Sequence, residues 1–194
     1  DLRRVGRCRR RVDAMTAERV RTIDVGARKH PRWAGERVPL LAEVLAEVPR
    51  RGRLFIEIKT GPELVPALRR ALEASGVSPV QIVLMSFFPA TMAAVVKSLP
   101  HYEPCLLLEA RQWTRGRGIA GAIAVARALG CRSLDIETSR RLNRHVVNAV
   151  VGADLQLYTW TVNRLSTARR LAQAGIHGIT TDRCAWMCAQ LRGP

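Results

Sequence analysis

From residue 54 to its end the sequence alternates between short apolar runs and longer amphipathic stretches. The apolar runs fall at 54–59, 81–87, 104–109, 133–137, 155–161 and 178–181, and they are rich in branched and aromatic residues. Between and after them, 62–75, 89–99, a stretch ending at Leu129, 139–151, 166–174 and 185–191 carry helical periodicity, several stopped by glycine at Gly76, Gly130 and Gly175. Strands that are apolar throughout suit a parallel sheet covered on both faces. Strict β/α repetition favours a (β/α)₈ barrel of the TIM type over a doubly wound sheet. The pattern supplies six β/α units, two short of closure, so the expected fold is an incomplete barrel. A six-stranded open sheet is the alternative that the pattern permits.

The stretch before residue 54 is less regular. Residues 1–15 are polar and arginine-rich, and Thr16 can cap a short helix through Ile23. Asp24-Val25-Gly26 reads as a turn, followed by an irregular loop to Val38. Pro39 opens a helix with Leu40, Leu41, Val44, Leu45 and Val48 on one face. With 194 residues the chain is expected to form a single domain over 1–194. It contains no apolar run long enough to span a membrane and no recognisable signal sequence. The five cysteines are scattered, and Cys184 and Cys188 have no histidine or further cysteine beside them to complete a zinc site. Free thiols favour a reducing, cytoplasmic location.

A net charge of +16 invites a nucleic-acid reading. Against it, the excess is almost all arginine, spread along the chain apart from a cluster at Arg7 to Arg11, and aromatic residues are too few for a stacking platform. An arginine-biased, alanine-rich composition can also arise from codon bias. No specific nucleic-acid partner is expected.

The run Leu54-Phe55-Ile56-Glu57-Ile58-Lys59-Thr60 sets two charges at the end of a buried strand. Alternation points Glu57 and Lys59 to one side and Ile56 and Ile58 to the other. Charges there are costly unless used or paired, and ligands of parallel α/β sheets bind beyond the carboxyl ends of the strands. Glu57 is therefore a candidate metal ligand and Lys59 a candidate partner for an anion, weighed equally against a structural ion pair. The other strand ends bring Ser86 and Phe87, Glu109, Asp135 and Glu137, Trp160 and Asp182. Such a mouth would suit Mg²⁺ or Ca²⁺ with a phosphate ligand. Asp135, Glu137 and Asp182 are expected to cap the helices that follow them, and Glu109 to be solvated. Ser86 has no histidine near it in sequence to activate it. Of the four histidines, His101, His145 and His177 are placed away from strand ends; His30, in the long loop, is the one that could reach a site.

Taken together, Phe55-Ile56-Glu57-Ile58-Lys59, Met85-Ser86-Phe87, Trp160-Thr161-Val162-Asn163 and Gly178-Ile179-Thr180-Thr181-Asp182 resemble the glycerophosphodiester phosphodiesterases. Asp24-Val25-Gly26 and Gly35-Glu36-Arg37-Val38-Pro39 fit the same pattern, so the resemblance runs over nearly the whole chain. It implies a (β/α)₈ barrel hydrolysing small-molecule glycerophosphodiesters to an alcohol and glycerol 3-phosphate with a divalent cation, Mg²⁺ or Ca²⁺. By resemblance Glu57 matches a metal-ligating glutamate and Lys59 the lysine facing the phosphate. Trp160 matches an aromatic residue beside the substrate pocket, and Asp182 belongs to a structural Thr-Asp. The family's His-Arg-Gly, Glu-x-Asp and His-Asp elements, which carry its catalytic histidines and remaining metal carboxylates, are not in this sequence. The chain is thus expected to be the C-terminal part of such a barrel, lacking the first two strands and inactive by itself. The alternatives are a non-catalytic remnant of the family and, further off, a basic nucleic-acid binder.

Overall fold

The computed structural model describes residues 2–192. The chain divides into two compact units, Asp1–Val48 and Pro49–Pro194.

The first unit is built on three short helices, α1 (Arg3–Gly6), α2 (Ala17–Arg21) and α3 (Leu41–Ala46). Thr16 caps α2 as its sequence position suggests, its side chain accepting the Arg19 N–H. The Asp24 turn organises the loop that follows. Its carboxylate accepts the N–H groups of Gly26, Ala27 and Gly35 at 2.8–2.9 Å, and these bonds hold it below the usual carboxylate pKa range. Gly26 has to be a glycine: a Cβ there would lie 2.0 Å from the Trp33 carbonyl oxygen. Arg21 and Glu43 tie α2 to α3 across 2.7 Å.

The second unit is an α/β fold around one six-stranded parallel sheet in chain order β1-β2-β3-β4-β5-β6. The strands are β1 (Leu54–Glu57), β2 (Ile82–Ser86), β3 (Glu103–Leu108), β4 (Ser133–Glu137), β5 (Gln156–Trp160) and β6 (Gly178–Ile179). Helices α4 (Val65–Ser75), α5 (Pro89–Ser98), α7 (Gly118–Leu129), α8 (Arg144–Val151), α9 (Leu165–Ala174) and α10 (Cys184–Arg192) alternate with them. A further short helix between β3 and α7, α6 (Ala110–Thr114), is not anticipated by the periodicity; Trp113 anchors it, fully buried, with its indole N–H donating to the Glu137 carbonyl at 3.0 Å. Three helices end at the expected glycines, and Gly130, at φ 77°, takes the left-handed conformation that closes α7.

One face of each strand packs on the helices. Leu84, Leu134, Ile136 and Leu157 are wholly buried there, with Met92, Val95, Val150 and Leu171 opposite them. The other face turns inward, and the sheet curls. In a flat sheet β1 and β5, with three strands between them, would stand about 19 Å apart at ~4.8 Å per strand. Instead the Phe55 and Tyr158 rings meet edge to face at 5.0 Å between centroids. Phe55, Val83, Met85, Cys105 and Tyr158 fill the interior. The sheet is thus a curled half-barrel, the incomplete TIM-type fold that the alternation implies. The amino end of the interior is closed by a polar cluster. Arg53 pairs with Glu103 and donates to the Tyr158 hydroxyl, whose single proton is within reach of two acceptors, Glu103 Oε1 and Gln156 Oε1. Burial and the Glu103 charge push the Tyr158 phenol up to about 12.

Candidate active site

At the carboxyl ends of the strands the second unit opens into a cavity of about 310 Å³ that takes in Glu57, Lys59, Phe87, Asp135, Trp160 and Thr180. Each arrives there by strand alternation. Ile58 faces the helices, 2 % exposed, so Glu57 and Lys59 on either side of it must face the cavity. Their charges meet, Lys59 Nζ lying 2.5 Å from Glu57 Oε2. They form the ion pair that was the structural alternative, and they stand together at a cavity mouth. Lys59 remains largely solvent-exposed. Trp160 shares the cavity with them, its ring edge to face with Phe87 at 5.8 Å between centroids.

Asp135 departs from expectation. It does not cap the helix after its strand; α8 is capped by Asn143, whose side chain accepts the Val146 N–H at 3.1 Å. Leu134 and Ile136 take the helix-facing positions of β4, which forces Asp135 inward. There it is 2 % exposed, lines the cavity, and its Oδ1 is buried without a hydrogen-bond partner among the described residues. Burial, with the negative charge of Glu57 adding to it, raises its pKa from 3.8 to about 7. Sequence reasoning placed Asp135 at a strand end but gave it the wrong task; the signal that it faces inward lies in its two apolar neighbours. Glu137 also turns inward and serves the preceding connection, accepting the Ala110 N–H at the start of α6. Asp182 does not cap α10. It accepts from Asn163 Nδ2 at 2.7 Å, and Asn163 Oδ1 accepts from Thr181 and from the Asp182 N–H, joining the loop after β5 to the loop after β6.

No histidine lines this cavity. His177 holds the amino end of β5, its Nδ1 accepting the Leu157 N–H at 3.1 Å. His30, in the first unit, accepts the Arg32 N–H. Among the described residues no group of three or more His, Cys, Asp and Glu is gathered to hold a metal ion. Glu57 and Asp135 nevertheless set two carboxyl groups in one cavity, and their repulsion, visible in the raised Asp135 pKa, marks a place where positive charge would be favourable. Such a donor set fits a hard cation that keeps much of its water and takes the rest of its ligands from a substrate phosphate. A larger depression of about 800 Å³ in the first unit, lined by Arg7, Arg10, Arg19 and Arg28, offers one carboxylate, Asp24, already committed to backbone N–H groups.

A parallel β/α half-barrel with an acid–lysine pair and an inward tryptophan at its carboxyl-end mouth places the chain among TIM-type barrel proteins. Residues 1–185 match the glycerophosphoryl diester phosphodiesterase family, and the chain belongs to it. A glycerophosphodiester phosphodiesterase of Caldanaerobacter subterraneus subsp. tengcongensis is 27% identical over 176 residues, spanning 88% of this chain and 69% of that relative. A Bacillus subtilis glycerophosphodiester phosphodiesterase is also 27% identical, and there the chain spans about half, 53%, of the relative's length. Among solved structures, an Oleispira antarctica phosphodiesterase in complex with its product sn-glycerol-3-phosphate superposes with a TM-score of 0.84, covering 98% of this chain and 76% of that one at 17% identity. An Agrobacterium tumefaciens glycerophosphodiester phosphodiesterase superposes with a TM-score of 0.67, covering 89% of this chain and 70% of that one at 20% identity. Among the described residues no helix is long and apolar enough to cross a membrane.

Proposed function

We propose that this chain carries the phosphate- and cation-binding side of a hydrolase that splits glycerophosphodiesters into an alcohol and glycerol 3-phosphate. The observation that carries the reading is the Glu57–Lys59 pair at the mouth of the barrel, in one cavity with Asp135 and Trp160. Membership of the family and the product named for the Oleispira protein support the choice of substrate class.

Each side chain has a task that follows from its chemistry. Lys59 gives up Glu57 for a phosphoryl oxygen and stabilises the charge that grows there. Glu57, with the phosphate itself, holds a Mg²⁺ or Ca²⁺ ion. That ion, when bound, neutralises charge on the phosphoryl oxygens. Trp160 and Phe87 wall the cavity and keep water from the buried carboxyl. The cavity contains no histidine to protonate the leaving alkoxide or activate the attacking group, and losing such help costs about a hundred- to ten-thousand-fold in rate. Turnover by these 194 residues alone is therefore expected to be negligible. The five free thiols suit a reducing, cytoplasmic compartment.

The test is release of glycerol 3-phosphate from glycerophosphocholine with Mg²⁺ or Ca²⁺ present, run on these residues and on a protein extended at its amino end by its genomic sequence. Activity in the extended protein alone, abolished by Glu57→Gln, is the expected result. Activity in neither favours a non-catalytic remnant of the family. Activity in the short chain would mean that its acid and base have been misassigned.

A further inference from the structure

The depression of about 800 Å³ in the first unit carries four arginines on its lining, Arg7, Arg10, Arg19 and Arg28. Among the described residues none of these four guanidinium groups enters an ion pair or a side-chain hydrogen bond, whereas Arg11 pairs with Asp13 and Arg21 with Glu43. The one carboxylate on the lining, Asp24, commits its oxygens to the N–H groups of Gly26, Ala27 and Gly35. Four guanidinium groups less one carboxylate leave a charge of +3 around a single concavity. Like charges gathered without partners repel one another, and an anion seated among them removes that repulsion.

The backbone that carries the arginines is held in place without a ligand. Gly6 lets α1 lie against the end of α2: a Cβ there would stand 2.4 Å from Ile23 Cγ2. The Asp24 bonds fix the turn that leads to Arg28, and the Thr16 cap fixes the start of the helix that carries Arg19. Arg7 closes α1 in the left-handed conformation, at φ 54°, and is followed by the Leu2–Cys8 bridge. Glycine takes that conformation at little cost and arginine does not, so an arginine there gives up backbone ease for a guanidinium at the depression. A site built in advance loses less freedom when it binds.

We propose that this depression is a binding site for a small ligand bearing two or more linked phosphate groups. The guanidinium fork matches phosphate oxygens two at a time, and such charge-assisted bonds are the strong ones. A single phosphate carries too little charge to answer +3 and too few oxygens to reach four forks, whereas a diphosphate supplies both within one small group. Val5, Met15, Ile23 and Ala27 make much of the remaining lining apolar, which strengthens attraction between the charges. A nucleic acid suits the place less well, because no aromatic side chain lines the depression for a base to stack on. The assignment uses residues of the first unit alone and does not depend on the phosphodiesterase reading.

The test titrates the full chain with pyrophosphate, inorganic phosphate and citrate by calorimetry at about 0.15 M salt, without added metal. Pyrophosphate should bind about tenfold or more tighter than phosphate, and tighter than citrate. Arg19→Gln and Arg28→Gln should each weaken pyrophosphate by about tenfold, and Arg28→Lys, which keeps the charge and loses the fork, should fall between. Arg140→Gln, which removes an exposed arginine of the second unit, and Lys59→Met should leave the affinity unchanged. An equal loss on Arg140→Gln would mean attraction to net charge alone, and a loss on Lys59→Met would put the ligand at the barrel mouth; either overturns the site. So does citrate binding as tightly as pyrophosphate, or a single-stranded RNA oligonucleotide that binds tighter than pyrophosphate and is weakened by the same two glutamine variants. Those variants should unfold at or slightly above the wild-type Tm, since they relieve repulsion and break no bond within the protein. A fall in Tm would make the two arginines structural and would also overturn the assignment.

Discussion

Replacing Asp135 by asparagine should remove a pH dependence from the stability of the protein. Asp135 is buried, its Oδ1 has no hydrogen-bond partner among the described residues, and its pKa is raised from 3.8 to about 7, first by burial and then by Glu57. The folded state therefore binds a proton more tightly than the unfolded state. Its contribution is most favourable below the unfolded value of 3.8 and is lost as pH rises through about 7. Three decades of proton affinity correspond to roughly 4 kcal/mol at about 1.4 kcal/mol per decade. Between pH 5 and 8 the loss is about 3 kcal/mol, since part of the range lies below pH 5. For a chain of this size that is a fall in Tm of about 6–12 °C. The assay is thermal unfolding of the wild type and Asp135→Asn at several pH values with a chelator present, so that no cation offsets the carboxylate charge. Subtracting one curve from the other cancels the other titrating groups. The difference should grow with pH and level off above about pH 8, with the asparagine variant the more stable there. Parallel curves from pH 4.5 to 8 would show that Asp135 is hydrated or paired in solution, and the reasoning about its burial would fail.

Glu57→Gln should lower the Asp135 pKa by removing the second cause of its rise, a change visible in the carboxyl ¹³C titration, and should weaken Ca²⁺ binding. Because Lys59 is largely exposed, the lost ion pair itself should cost less than about 1 kcal/mol of stability. Trp113→Ala should destabilise the second unit by about 3–5 kcal/mol in denaturant unfolding, since it empties a fully buried site and strands the Glu137 carbonyl. Arg53→Met leaves Glu103 with the Tyr158 hydroxyl alone and should cost about 1–3 kcal/mol in denaturant unfolding. Gly26→Ala should destabilise the first unit by about 2 kcal/mol or more, because the new Cβ meets the Trp33 carbonyl; limited proteolysis should cut 1–48 first.

Much of this protein is legible in its sequence because the information is local. A strand that is apolar throughout, followed by an amphipathic helix, specifies a β/α unit by itself, and six in a row specify a parallel sheet. Period-two alternation likewise sets Glu57 beside Lys59 without any knowledge of the rest of the chain. The short helix α6 escapes that reading because it is held in place by one buried tryptophan and has no periodicity of its own. What only the tertiary structure decided is which polar groups remain without partners. Asp135, Glu137 and Asp182 look alike in sequence, each an acid at a strand end. Glu137 finds the Ala110 N–H and Asp182 finds Asn163, while Asp135 finds none. Those hydrogen bonds depend on groups that the pairing of neighbouring strands brings close from 27 or 19 residues away, and no local pattern encodes that distance. The curl brings the Asp135 carboxyl within the field of Glu57 and encloses it with Trp160 in one cavity, so its raised pKa belongs to the fold and not to any segment of the chain.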